Sequence, residues 1–299
     1  LVKMKYLVTG SAGLIGNQLV HDLEKSGEIV YSCYNNMKPV YGIPTKLNLL
    51  NLEDIHKIFK KFQPDVVIHS AALTDVEKCE VDPQLANSLN VKATEVIAKE
   101  VEKISSYLMY ISTDYIFDGK TGLYEETDST NPLNNYGKTK LLGEKFIENE
   151  TSKWSIIRTS TPFGVHPFKK TFPVWVYENL KINKKINILE DQFTSPTYVP
   201  NLSKMILEIT SRSLEGFFHL SGSTKISRFE FAKMIATKLN LDLSLLNPVK
   251  IDTMPWKANR PLDSSLNISK INAILKTKPY TIKQSLDDYA LQFLDSSSL

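Results

Sequence analysis

The sequence predicts an α/β fold, a doubly wound parallel sheet followed by a smaller mixed C-terminal lobe, and three observations carry that prediction. Short runs rich in β-branched and aromatic residues alternate with longer amphipathic ones through the first half of the chain. The first such run ends in a glycine-rich turn. The alternation then breaks after about residue 160.

Each element follows from its pattern. "KYLVTG" (5–10), "EIVYSCY" (28–34), "DVVIHSA" (65–71) and "YLMYIST" (107–113) read as buried strands. Between them, 14–27, 52–62 and 83–104 carry apolar residues at three- and four-residue spacing and read as helices. Such alternation argues for a parallel sheet covered on both faces. A helix from about Tyr136 to Glu148 and a strand at 154–160 continue it. Beyond, "TPFGVHPFKKTF" and "LEDQFTSPTYVP" read as loops, "NLSKMILEITSR", "SRFEFAKMIATKLNL" and a terminal segment near "IKQSLDDYALQFL" as helices, and "GFFHLSG" (216–222) as a strand. With no internal repeat and no long linker, two packed parts are expected: residues 1–160, to which later segments return, and residues 161–299.

Composition narrows the function classes. Of the 299 residues, 42% are hydrophobic and 23% charged, as in ordinary globular proteins. A net charge of +3, with basic residues scattered, marks no nucleic-acid face. The two cysteines, Cys33 and Cys79, form no disulfide framework and lie in no metal-ligand spacing, so no metal is expected. No apolar run approaches membrane-spanning length, and a soluble cytoplasmic protein is expected.

"TGSAGLIG" (9–16) sets Gly10, Gly13 and Gly16 where the first strand meets the first helix. Glycine there permits a tight turn and close approach of backbone amides to a pyrophosphate, which the helix N-terminus favours. The spacing is G-x-x-G-x-x-G, a loose match to the commonest dinucleotide fingerprint, and its place after the first strand makes dinucleotide binding the expectation. An acidic residue at the end of the second strand would bind the ribose hydroxyls of NAD. This chain has Tyr34, Asn35 and Asn36 there, with Lys38 beyond, which mildly favours NADP and leaves NAD open.

In "NPLNNYGKTKLLGEKF" (131–146), Tyr136 precedes Lys140 by one helical turn, so the two share a face. A cation held near a phenol lowers its pKa, and the pair is a candidate tuned proton donor.

With the glycine turn, "STDYIFDG" (112–119) and Tyr136-x-x-x-Lys140 together, the sequence resembles the extended short-chain dehydrogenase/reductases. More narrowly it is similar to the dTDP-4-dehydrorhamnose reductase family, which also includes the regulatory β subunit of methionine adenosyltransferase. Segments 63–80, 131–145, 191–199, 216–223 and 259–267 match that family in order. The resemblance implies a Rossmann-type domain with a C-terminal substrate lobe. It implies a catalytic trio of Thr113, holding the substrate carbonyl, Tyr136, the proton donor, and Lys140, which binds the nicotinamide ribose and lowers the tyrosine's pKa. Ser112 is the alternative hydroxyl, on the opposite face of the strand.

For the cofactor, the resemblance implies contacts at Gly10, Ser11, Gly13, Leu14, Ile15, Gly16, Tyr34, Asn35, Asn48, Leu49, Ala71, Ala72, Thr74, Asn90 and Ser112, besides Tyr136 and Lys140. Ala71 and Ala72 would lie under the cofactor, or simply pack at a strand end. Asn90 would order the site, or serve helix packing. His69 reads as a satisfied strand histidine. In the lobe, Gln192, Pro196 and Thr197 match the substrate loop, and Arg260 would pair either with a substrate phosphate or with a surface carboxylate. One departure stands out: Thr161 occupies the place where the sugar reductases usually carry a tryptophan that contacts the deoxysugar, and the methionine adenosyltransferase subunit also lacks it. A nucleotide-sugar reductase is the first expectation and an NADP-binding regulatory subunit, partnered by a methionine adenosyltransferase, the second; either is compatible with a homodimer.

Overall fold

The structure, a computed structural model, describes residues 3–296. Its centre is a parallel sheet of seven strands: β1 (Lys5–Thr9), β2 (Ile29–Tyr34), β3 (Ile43–Lys46), β4 (Val66–His69), β5 (Tyr107–Thr113), β6 (Trp154–Thr159) and β7 (Gly216–His219). They lie in the order β7-β6-β5-β4-β1-β2-β3. The order reverses between β1 and β4, and in open α/β sheets the crevice beyond the strand ends at such a switch point is where ligands bind. Register puts Thr9 level with His69, His69 with Tyr110, and Thr113 with Thr159, so the carboxyl ends of four strands open together.

Helices cover both faces. On one, α1 (Leu14–Lys25) packs with Val199–Ser211, and Leu19, Val20, Met205, Ile206 and Ile209 close over Val8, Ile68 and Met109. On the other, α2 (Leu52–Phe62), α3 (Ala93–Lys103) and α4 (Asn135–Glu150) bury Ile55, Phe59, Ile97, Val101 and Ile147 against Leu7, Val67 and Leu108. Each fully buried aliphatic side chain contributes about 1.5–3 kcal/mol relative to exposure. Hydrophobic burial on both faces of one sheet is thus what holds the crevice open at its edge.

Three details depart from the expected elements. β3 was hidden in the sequence because it is an exposed edge strand containing Pro44, a residue that edges tolerate. The single helix expected over 83–104 is segmented into Pro83–Asn87, a π-turn over Ser88–Lys92 and α3, and a further helix, Val76–Val81, precedes it; Val76–Val81 and Pro83–Asn87 start on the aspartate caps Asp75 and Asp82. The segments expected as loops hold two-residue strands, Pro162–Phe163 beside Thr197–Tyr198 and Phe193–Thr194 beside Ile226–Ser227, too short to show any alternation.

The remaining residues form a lobe around Phe163, Val176, Phe231, Ile235 and Tyr289, built by the helices Phe172–Lys181, Arg228–Lys238 and Ile282–Ser296. Its second sheet pairs Ile186–Leu189 with Leu246–Val249. β7 and the helix Val199–Ser211 lie late in the chain but belong to the main sheet and its cover. Among the described residues, no helix is long and apolar enough to cross a membrane.

Candidate functional site

The glycine turn is built by steric necessity. Gly10 has φ +68°, and a Cβ there would lie 2.8 Å from the backbone N and Cα of Ala71; a Cβ on Gly16 would lie 2.3 Å from the Gly10 carbonyl oxygen. Gly13 caps α1 in an extended conformation without a side chain, so the first-turn amides, Leu14 and Ile15 among them, face an anion unobstructed. Ser11 follows Gly10 and is fully buried. Its backbone N–H and its hydroxyl both donate to the Cys33 carbonyl, at 3.2 and 2.8 Å, which turns the side chain into the protein to tie the turn to β2.

Beyond β2, the Lys46 ammonium lies 5.3 Å from the Tyr34 ring centre and donates to the Asn35 carbonyl. Asn48 accepts from the Leu50 N–H at 3.1 Å, while the Leu49 side chain is in the core, leaving only its backbone for a ligand. Met37, Lys38 and Val40 line a small cleft with Ala12, Asn17 and the lobe residues His166 and Phe168. His166 carries no signal in the sequence, since only the fold brings its loop to the glycine turn.

Ala71 and Ala72 follow β4 half-buried beside Gly10, and Thr74 is exposed beyond them. Asn90 lies on the π-turn, fully buried. Its side chain accepts from the Leu73 N–H at 2.7 Å and donates to the Leu73 carbonyl and the Thr139 hydroxyl, both at 3.1 Å. Asn90 thereby joins the segment after β4 to the helix that carries Tyr136.

Tyr136 starts that helix because Asn134 accepts from the Gly137 N–H at 2.9 Å, and because Gly137 and Gly143 leave no Cβ against Tyr115 and Tyr110. The phenol lies beside the Thr113 hydroxyl, and its ring meets Tyr115 edge-on with centroids 6.0 Å apart. The expected tuning by Lys140 is not what the structure shows. Burial raises the Tyr136 pKa well above its ordinary value, the Thr113 hydroxyl opposes, and the buried Asp114 adds to the rise. Lys140 donates instead to the Ile111 carbonyl at 2.7 Å and sits 3.9 Å from the centre of the Tyr110 ring. Burial lowers it to about 7, with Glu144 opposing. The two groups are pushed apart, the phenol holding its proton and the amine ready to release one.

Thr113 also donates to Asp114 at 3.1 Å and accepts from the Tyr115 N–H. Asp114 is buried, and burial raises its pKa against the hydroxyls of Ser264, Ser160 and Thr113. The Ser112 hydroxyl donates to Glu144, which is clasped by the Arg158 guanidinium at 2.8 and 3.2 Å.

Across the crevice, Gln192 is buried and donates to the Pro261 carbonyl at 3.3 Å, and Thr197 donates to the Ser160 carbonyl at 2.7 Å. Arg260 takes the carboxylate alternative, pairing with Glu77 at 3.1 Å and stacking 3.7 Å over Trp256; its Nε is buried without a partner. The sequence reading missed Arg228, whose Nε donates to Gln192 at 3.4 Å and which lies beside the Tyr115 hydroxyl; Arg260 lies near enough to repel it. Guanidiniums can take the paired oxygens of a carboxylate or phosphate bidentately. Thr161 adopts φ +42°, a costly conformation for a β-branched residue, and its carbonyl accepts from the Thr197 N–H at 3.2 Å. Among the described residues, no group of three or more histidines, cysteines or acids could hold a metal.

Known proteins share this architecture. A solved structure of a hypothetical dTDP-4-dehydrorhamnose reductase from Sulfolobus tokodaii is 38% identical, with a TM-score of 0.85 over 93% of this chain and 97% of that one. The dTDP-4-dehydrorhamnose reductase of Bacillus anthracis, solved in complex with NADP, superposes with a TM-score of 0.89 at 28% identity, covering 97% and 100%. The methionine adenosyltransferase 2 subunit beta of Rattus norvegicus is 32% identical over 278 residues, 90% of this chain and 82% of that protein. The family model described as the RmlD substrate binding domain matches residues 4–294, and this chain belongs to that family.

Proposed function

We propose that the chain is an NAD(P)H-dependent oxidoreductase that reduces the 4-keto group of a nucleotide-linked deoxysugar, in the manner of a dTDP-4-dehydrorhamnose reductase. The observation that supports the reading is that Thr113 ends β5, with Tyr136 beside it and Lys140 tied to the same strand at Ile111, at the carboxyl edge of the parallel sheet where the Gly10–Gly16 turn follows β1. In this reading residues 1–160, with β7 and Val199–Ser211, hold the dinucleotide, and 161–299 mostly hold the sugar nucleotide of a cytoplasmic enzyme. A bound reduced nicotinamide supplies the hydride.

The protein's own residues do the rest. The Tyr136 phenol, kept protonated by burial, donates to the carbonyl oxygen as charge develops there. The Thr113 hydroxyl turns from Asp114 to hold that oxygen, and Lys140 anchors the nicotinamide ribose and, while protonated, adds positive charge. Arg228 and Arg260 receive the diphosphate end of the substrate, with Arg260 exchanging Glu77 for phosphate. The absence of an acid after β2, with Lys38 in the cleft beside the turn, favours NADPH over NADH.

The test is oxidation of NADPH and NADH, followed by absorbance, with dTDP-4-keto-6-deoxy-L-mannose generated in situ. Tyr136→Phe is expected to lower turnover by about 10²–10⁴-fold with cofactor affinity retained; full activity in that variant refutes the assignment. A second reading, an NADP-binding regulatory subunit of a methionine adenosyltransferase, is supported by the 32% identity to the rat protein and by Thr161 at the sugar-contact position. Cofactor binding without turnover, together with co-purification of a synthetase, would favour it.

A further inference from the structure

His69, at the end of β4, is completely buried between two threonines: Nδ1 lies 2.7 Å from the Thr9 hydroxyl and Nε2 lies 3.0 Å from that of Thr94. The direction of each bond can be deduced. Thr94 donates its one proton to the Asn90 carbonyl at 2.8 Å, an acceptor only, so it must accept from the ring and Nε2 carries the hydrogen. Burial drives the ring's pKa down to about 3, so the imidazole is neutral and Nδ1 is an acceptor. Thr9 therefore donates to Nδ1, while its oxygen accepts the Ala71 N–H at 3.2 Å.

One polarised chain results. It runs from the Ala71 amide, against which Gly10 packs, through Thr9, His69 and Thr94 to the Asn90 carbonyl. The Asn90 side chain carries it on to Thr139, which donates to the Tyr136 carbonyl at 2.9 Å. We infer that His69 is a positioning residue whose two ring nitrogens serve two ends of the site: Nδ1, through Thr9, fixes the floor under the dinucleotide, and Nε2, through Thr94 and Asn90, fixes the helix that presents Tyr136. The inference rests on the reading of Tyr136 and the glycine turn given above.

The two bonds can be cut separately. An asparagine amide reaches the Nδ1 position and a glutamine amide the Nε2 position, so His69→Asn keeps the acceptor for Thr9 and His69→Gln keeps the donor to Thr94. His69→Gln is expected to weaken NADPH binding about tenfold, read by fluorescence titration, with kcat of the saturated enzyme within about twofold of wild type. His69→Asn is expected to do the reverse, lowering kcat about tenfold with NADPH affinity held. Thr9→Val and Thr94→Val repeat the two cuts without disturbing the buried ring, and Thr94→Ser restores kcat. Equal losses of affinity and turnover in both classes, tracking only the fall in Tm, overturn the inference. So does unchanged NADPH affinity in both His69→Gln and Thr9→Val. Wild type that binds NADPH but reduces no keto sugar removes the reductase reading and leaves that affinity comparison to decide the His69 assignment; wild type that binds neither dinucleotide overturns both.

Discussion

Lys140 should make the fold less stable at neutral pH than at high pH, and the size of the effect follows from its surroundings. The side chain is 2% exposed, and burial lowers its pKa from 10.5 to about 7. The unfolded chain therefore holds a proton at this site between pH 7 and 10.5 that the folded chain has released. Stability rises with pH wherever the unfolded state binds more protons, at about 1.4 kcal/mol per pH unit for one group. The penalty is fully present below pH 7 and relieved above it. The Ile111 carbonyl and the Tyr110 ring favour the cation and narrow this window from below. Between pH 7 and 9, wild type should gain about 2 kcal/mol relative to Lys140→Met, which cannot titrate. Urea denaturation of both proteins at pH 7, 8 and 9 measures the difference, because every other titration cancels in it. A flat difference refutes the reasoning, since it would mean that the ammonium keeps its ordinary proton affinity inside the protein. Turnover by Lys140→Met should be lost at every pH, which separates the charge's role in the reaction from its cost to the fold.

Glu144→Ala strands the buried Arg158 guanidinium and should cost about 3–5 kcal/mol, read as a fall in Tm of roughly 10 °C; Glu144→Leu with Arg158→Met should recover most of it. Gly143→Ala gains about 1 kcal/mol of helix propensity, but its Cβ would lie 2.5 Å from the Tyr110 hydroxyl and 3.1 Å from the Asn90 carbonyl. Overpacking costs about 1–3 kcal/mol, so a net loss near 1 kcal/mol is expected in urea titrations. Arg228→Gln should raise KM for the sugar nucleotide at least about tenfold with kcat and NADPH affinity little changed, in steady-state kinetics.

How much of this was legible depends on whether the cause was local in the chain. The glycine turn was readable because each of its three positions answers a backbone demand within seven residues: a left-handed φ at Gly10, a bare cap at Gly13, a close approach at Gly16. The alternating strands and helices were readable for the same reason, whereas β3 was lost because an exposed edge with a proline shows neither alternation nor burial. Arg228 was invisible because its partners, Tyr115 and Gln192, come from other strands' loops and nothing in "SRFEF" announces them. The Tyr136 and Lys140 pair is the instructive middle case. Both residues lie in the helix Asn135–Glu150, as the spacing requires, but spacing fixes only where a side chain starts. The lysine's far end found the Ile111 carbonyl of β5 and the aromatic face of Tyr110 beside it on the same strand, and its charge went there rather than to the phenol. Desolvation then decided both proton affinities, lowering one and raising the other. A phenol that keeps its proton is the form a general acid needs when a ketone is reduced, so the outcome that contradicts the expected tuning still suits the direction of the proposed reaction.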